Sequence, residues 1–174
     1  MGAALSLVAP AHADHDDPSL DGLFDDLKRA EAADAPAIAA RIDAIWADAP
    51  SDTVNVLYER AEASFEAGDA DLARIVVDHA LALGPGFAQG YALRAAIRLR
   101  IEDVSGAVED LERAIDIEPR HYPARIVLGE ILADGGEPEA AFDMLQEALL
   151  WNPHAERARD AARRIRRELD GQEI

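Results

Sequence analysis

The chain of 174 residues contains no cysteine. That excludes disulfides, a thiolate metal site, a cysteine nucleophile and a cysteine-linked lipid anchor. Cations are scarce as well: 17 Lys plus Arg face 35 Asp plus Glu, a formal net charge of −18. Such a balance repels phosphate backbones and anionic membrane surfaces, because sequence-independent affinity for either requires positive charge. No window approaches the roughly eighteen uninterrupted apolar residues that a transmembrane helix requires. Hydrophobic residues nevertheless make up 49% and charged residues 30%, an ordinary composition for a soluble domain large enough to bury a core.

Residues 1–13, MGAALSLVAPAHA, are apolar and end in Ala11-His12-Ala13, a small-x-small pattern of the kind signal peptidase accepts. An acidic stretch, Asp14-His15-Asp16-Asp17, follows at 14–17. The run is short and has no basic residue before it, so it reads as a signal-peptide remnant. Cleavage after Ala13 then sends the chain to the periplasm or outside the cell. Two other readings stay open: Met1-Gly2-x-x-x-Ser6 fits a myristoylation pattern, and the segment reads equally as an unstructured leader of a cytoplasmic chain.

The rest of the chain repeats every 34 residues. Pro85, Pro119 and Pro153 share that spacing, as do Ala73, Ala107 and Ala141, and again Ala80, Ala114 and Ala148. A small column runs Ala61, Ala95, Gly129, and apolar columns run Val77, Leu111, Leu145 and Leu81, Ile115, Leu149. Repetition at one period means stacked copies of one unit, none able to bury its apolar face alone. Each unit reads as two antiparallel helices, the first over 54–66, 88–101 and 123–133, the second over 70–83, 105–117 and 138–150. Asp69, Asp103 and Glu137 stand where a side chain caps the second helix. The periodic proline stops each second helix, because it cannot donate the next hydrogen bond. Where helices cross at the small columns, a larger side chain would force them apart.

Arg125-x-x-Leu128-Gly129-x-x-Leu132, then Ala141, Leu145, Ala148 and Pro153, resembles the tetratricopeptide repeat (TPR). Tyr91, Ala95, Ala107, Leu111, Ala114 and Pro119 repeat the likeness, and so do Leu57, Ala61, Ala73, Val77, Ala80 and Pro85. The resemblance implies an all-α fold, a right-handed α-α solenoid of TPR helix pairs. It divides a single domain, 18–170, into repeats at 54–87, 88–121 and 122–153. Leu20, Leu23, Phe24 and Leu27, then Ile38, Ile42, Ile45 and Trp46, mark a degenerate N-terminal helix pair at 18–50, expected to cover the first repeat. Ala158, Ala161, Ala162, Ile165 and Leu169 stripe a C-terminal capping helix at 154–169, ahead of a tail at 171–174. The whole resembles small exported bacterial TPR proteins.

No catalytic constellation emerges. His12, His15, His79, His121 and His154 are scattered, no ligand spacing suits zinc, and no glycine-rich phosphate loop follows a strand. The expectation is a non-enzymatic chain with neither cofactor nor metal. The family resemblance implies that first helices line a concave groove where partners bind. Tyr58, Glu62 and Phe65 share a stripe there, as do Ala92, Ala96 and Leu99, and Ile126, Glu130 and Ala133. The candidate site is therefore an apolar trough of Tyr58, Phe65, Leu99 and Ile126, with Glu62 and Glu130 selecting positive charge. Some members of the family clamp a terminal carboxylate with Lys and Asn at two such places; Tyr58 and Glu62 stand here and would repel it. The expected partner is an apolar or basic-apolar protein segment, and the expected role a periplasmic scaffold or assembly factor. Alternatives are a self-associating spacer whose groove is filled, or an accessory in envelope assembly such as cytochrome maturation or pilus biogenesis. Arg94, Arg98 and Arg125 fall where the repeat wants apolar residues, and are expected to pack their stems while the heads snorkel to water or pair with Glu62 or Glu130; the alternative is a role in binding an anionic ligand. Arg157, Arg159, Arg163, Arg164, Arg166 and Arg167 form the only basic cluster, a solvated cap or one half of a weak head-to-tail contact with the acidic N-terminal end.

Overall fold

The computed structural model describes residues 18–172, and the leader reading of residues 1–13 lies outside them. Regular structure among the described residues is entirely helical: α1 (Pro18–Arg29), α2 (Ala35–Ala47), α3 (Asp52–Glu66), α4 (Ala70–Leu83), α5 (Ala88–Arg100), α6 (Val104–Ile117), α7 (Tyr122–Asp134), α8 (Pro138–Trp151) and α9 (Glu156–Gln172). α3–α4, α5–α6 and α7–α8 are the three repeats, each packed on the next, and α9 closes the stack against α8. The fold is an all-α solenoid of TPR helix pairs.

The columns have the predicted physical cause. Ala61, Ala73, Ala80, Ala95, Ala107, Ala114, Ala141 and Ala148 are all fully buried, so their small size sets the helix spacing. At Gly129 a Cβ would stand 2.9 Å from Leu145 Cγ and 3.2 Å from the Ala141 carbonyl oxygen. Caps follow the acidic column only in part. Asp69 accepts from Leu72 N–H at 3.0 Å and Asp103 from Gly106 N–H at 3.1 Å. Glu137 makes no such bond: its longer side chain places the carboxylate poorly for this role, and Pro138 removes one free donor there. The turn inside each repeat needs one left-handed residue, supplied by Gly68 (φ 85°), Glu102 (φ 64°) and Gly136 (φ 82°). Glu102 holds a glycine's conformation at a steric cost.

Two expectations are corrected. α1 and α2 do not cover the first repeat. Their apolar faces (Leu20, Leu23, Phe24, Leu27, Ile42 and Trp46) join one core with Tyr122, Ile126, Leu145 and Ile165 of the third repeat and the cap. The hairpin is too rich in bulky side chains to copy the small-residue contacts that join repeats, and the aromatic surface at the far end accepts them.

The second correction concerns the arginines. Arg94 donates to the buried Asp110 through Nε (2.9 Å) and Nη2 (2.7 Å), and to Asp78 through Nη1 (2.8 Å). Arg98 Nη1 lies 3.1 Å from Asp110 and donates to the Gly106 carbonyl at 2.6 Å. Arg125 Nε donates to Glu147 at 3.1 Å. The acids thus come from second helices, not from Glu62 and Glu130: these arginines point between helices instead of across the groove.

Candidate functional site

The groove is built from the first helices α3, α5 and α7, and the hairpin lies across one half of it. Tyr58, on α3, is 4% exposed and meets Phe87 edge-on, ring centroids 5.1 Å apart. Ile126, on α7, is 6% exposed within the core shared with the hairpin. Burial, reinforced by Glu62, pushes the Tyr58 phenol up to about 12, so it stays a neutral donor, its hydroxyl 3.5 Å from Glu62. The other half of the trough is more open. Phe65, Ala96 and Leu99 are half-buried there, and Glu62 and Glu66 are exposed on its edge, whereas Ala133 packs against the core shared with the hairpin and the cap. Glu130 is already engaged: both its oxygens accept from the Arg157 guanidinium of α9, Nε at 2.6 Å to Oε1. Of the six residues picked from sequence, the structure leaves Glu62, Phe65 and Leu99 accessible in whole or part, buries Tyr58 and Ile126, and pairs Glu130.

Sequence reasoning missed the residues that hold the hairpin. The α6–α7 loop puts Glu118 and His121 in the protein interior. Trp46, at the end of α2, stacks on the His121 ring with centroids 4.7 Å apart and planes 18° apart, and its indole N–H donates to Glu118 Oε2 at 3.3 Å. Arg120 wraps the same carboxylate through its backbone N–H (2.8 Å), Nε (2.9 Å) and Nη2 (2.9 Å), and reaches Asp21 of α1 with Nη1 at 2.7 Å. Burial acts to raise the Glu118 carboxyl, but these bonds outweigh it and hold the group below its ordinary value. His121 Nδ1 accepts from Ala124 N–H at 3.1 Å, capping α7, so Nε2 carries the proton toward Gln89 Oε1 at 2.9 Å. Burial pushes its imidazole down to about 4, which keeps the ring neutral and able to cap. Phe24 meets Trp151 edge-on at 5.6 Å and Lys28 sits over the same ring at 4.7 Å. The Ile38-Ile42-Ile45-Trp46 stripe was visible in the sequence; its mate was not, because the contact from Trp46 to Glu118 spans 72 residues.

Among the described residues no group of three or more His, Asp and Glu is placed to hold a metal ion, and no helix is long and apolar enough to cross a membrane.

Residues 102–165 match the family profile described as a tetratricopeptide repeat. A TPR repeat-containing protein of Rhizobium etli is 29% identical over 153 residues, 87% of this chain and 75% of its own length. Among solved structures, the first TPR domain of Spaghetti (RPAP3), bound to an HSP90 peptide, superposes with a TM-score of 0.65 at 21% identity, over 69% of this chain and 95% of that one. The type III secretion chaperone SycD of Yersinia enterocolitica, in complex with a peptide of the translocator YopD, gives 0.59 at 18% identity over 70% and 92%. The 34-residue columns, the three helix pairs and these matches agree on one fold, the helix-pair solenoid of tetratricopeptide-repeat domains, and residues 102–165 are similar in sequence to that repeat.

Proposed function

We propose that this chain is a non-enzymatic protein-interaction module that holds a protein segment in the half of its concave groove beside α2. The observation that carries this reading is the half-buried apolar stripe of Phe65, Ala96 and Leu99, edged by the exposed carboxylates Glu62 and Glu66. An apolar segment with basic residues along one side matches that surface, because its stripe leaves water while its cations meet the rim. Peptide binding by the Spaghetti domain and by SycD supports the general role. The setting we propose is the bacterial periplasm, as a scaffold or assembly factor, on the pattern of residues 1–13; N-terminal sequencing of the cellular protein beginning at Asp14 would support it, and an intact Met1 would refute it.

The binding test is capture from an envelope extract by wild type and by Leu99→Asp, with helical content checked by circular dichroism. A captured protein lost at least tenfold in the folded variant supports the reading, and undiminished capture by the variant refutes it. The position of α2 favours one other reading, a spacer whose groove is filled by its own hairpin, and capture by neither protein would select it.

A further inference from the structure

Seating of the α1–α2 hairpin against the C-terminal end of the solenoid leaves a cleft of about 310 Å³ between the first turns of α2 and α9. One wall is apolar and belongs to the hairpin: Ala32, Ala35, Pro36 and Ala39. The opposite wall is polar, with His154, Glu156 and Arg159 beside the buried Asn152. None of the groove residues Glu62, Phe65 and Leu99 lines the cleft.

The polar wall lacks the partners such groups ordinarily have. Arg159 is half-buried. Arg74, Arg94, Arg98, Arg120 and Arg125, the other arginines buried at least to that degree among the described residues, each pair with a carboxylate, whereas Arg159 pairs with none of them. A cation withdrawn from water without a counter-charge is costly. His154 Nε2 is buried with no hydrogen-bond partner, and native interiors leave few such atoms. The loop that carries it is pinned, because the His154 backbone N–H donates to Asn152 Oδ1 at 3.0 Å. Glu156 stands three residues before Arg159, the spacing at which Asp160 and Arg163 pair on the same helix, yet Glu156 and Arg159 form no ion pair. Side chains so spaced have Cβ atoms about 5–6 Å apart, close enough for one small molecule to touch both.

We propose that this cleft is a binding site for a free α-amino acid with a short aliphatic side chain. The ligand carboxylate takes the Arg159 guanidinium in bidentate fashion and a hydrogen bond from His154 Nε2. Its ammonium meets Glu156, and its side chain leaves water against the alanine and proline wall. Glu156 would repel a simple anion, and a zwitterion uses both charges. The volume limits the size, since small-molecule sites begin at about 300 Å³. Occupancy joins the hairpin to the cap, so the ligand should raise the melting temperature. The inference is independent of the groove being a binding site.

The test is titration of the isotopically labelled full chain with L-valine, followed amide by amide by NMR. Signals of Ala35, Ala39, Asn152 and His154 should shift and saturate below about 10 mM ligand. N-acetyl-L-valine keeps the carboxylate and loses the cation, L-valinamide does the reverse, and each should bind at least tenfold more weakly. Arg159→Gln and Glu156→Gln should each weaken L-valine binding at least tenfold, with amides remote from the cleft reporting an intact fold. Leu99→Asp, in the groove, should bind L-valine as wild type does, which separates this site from the groove. Three results would overturn the proposal. One is the lack of a saturable shift at these amides with L-valine, L-alanine and L-leucine. Another is undiminished binding by Arg159→Gln or Glu156→Gln. The third is equal binding of N-acetyl-L-valine, which would assign the cleft to the carboxylate end of another chain.

Discussion

Asp110 is 2% exposed and takes three guanidinium contacts, two from Arg94 and one from Arg98. Replacing it with alanine leaves two arginines, each about one-fifth exposed, facing a space that no longer offers a counter-charge. Breaking a buried pair on one side costs about 3–5 kcal/mol. Arg94 keeps Asp78, and Arg98 keeps the Gly106 carbonyl, so the lower end applies: Asp110→Ala should cost about 3 kcal/mol, a fall in melting temperature of about 6–12 °C for a domain of this size. The repeat itself supplies the control. Thirty-four residues on from Arg94, Arg98 and Asp110 stand Leu128, Leu132 and Met144, which pack in the adjoining core. The triple variant Arg94→Leu, Arg98→Leu, Asp110→Met transplants that apolar solution into repeat 2. Because a well-packed apolar replacement of a buried ionic cluster is often neutral or stabilising, it should lie within about 1 kcal/mol of wild type or above it. Urea denaturation followed at 222 nm, with unchanged m-values, measures both. An Asp110→Ala loss below about 1 kcal/mol, or a triple variant as unstable as the single one, would refute the reasoning.

Glu102→Gly should stabilise the chain by about 0.5–1 kcal/mol, because glycine adopts the left-handed turn conformation without the Cβ penalty; thermal melts check it, and a loss would show that the Glu102 side chain contributes more than its strain. His121 predicts an acid-sensitive window. Its folded value near 4 lies below the ordinary 6.5, so between these the unfolded chain binds more protons and stability falls as pH falls, by about 3 kcal/mol in all. His121→Asn keeps a capping acceptor and should flatten the urea midpoint between pH 6.5 and pH 4; an unchanged slope would place the titration elsewhere.

The 34-residue period by itself determined the helix pairs, their order and the small-residue contacts that join them. Those features are local or nearest-neighbour, and a repeated unit states them three times over. Glu62, Phe65 and Leu99 were legible as groove residues for the same reason: a helical stripe follows from spacing alone. What lies over the groove was not legible. α1 and α2 announce an apolar face but not its destination. Only the tertiary structure decided that, through Trp46 stacked on His121, its indole on Glu118, and Asp21 on Arg120. Such contacts pair residues roughly 70 to 100 positions apart and occur once each, so no periodicity encodes them. The arginines teach the same lesson at shorter range, since Arg94 meets Asp110 only because two helices of one repeat lie antiparallel and close. Sequence thus set what each helix buries, and three-dimensional packing set against what.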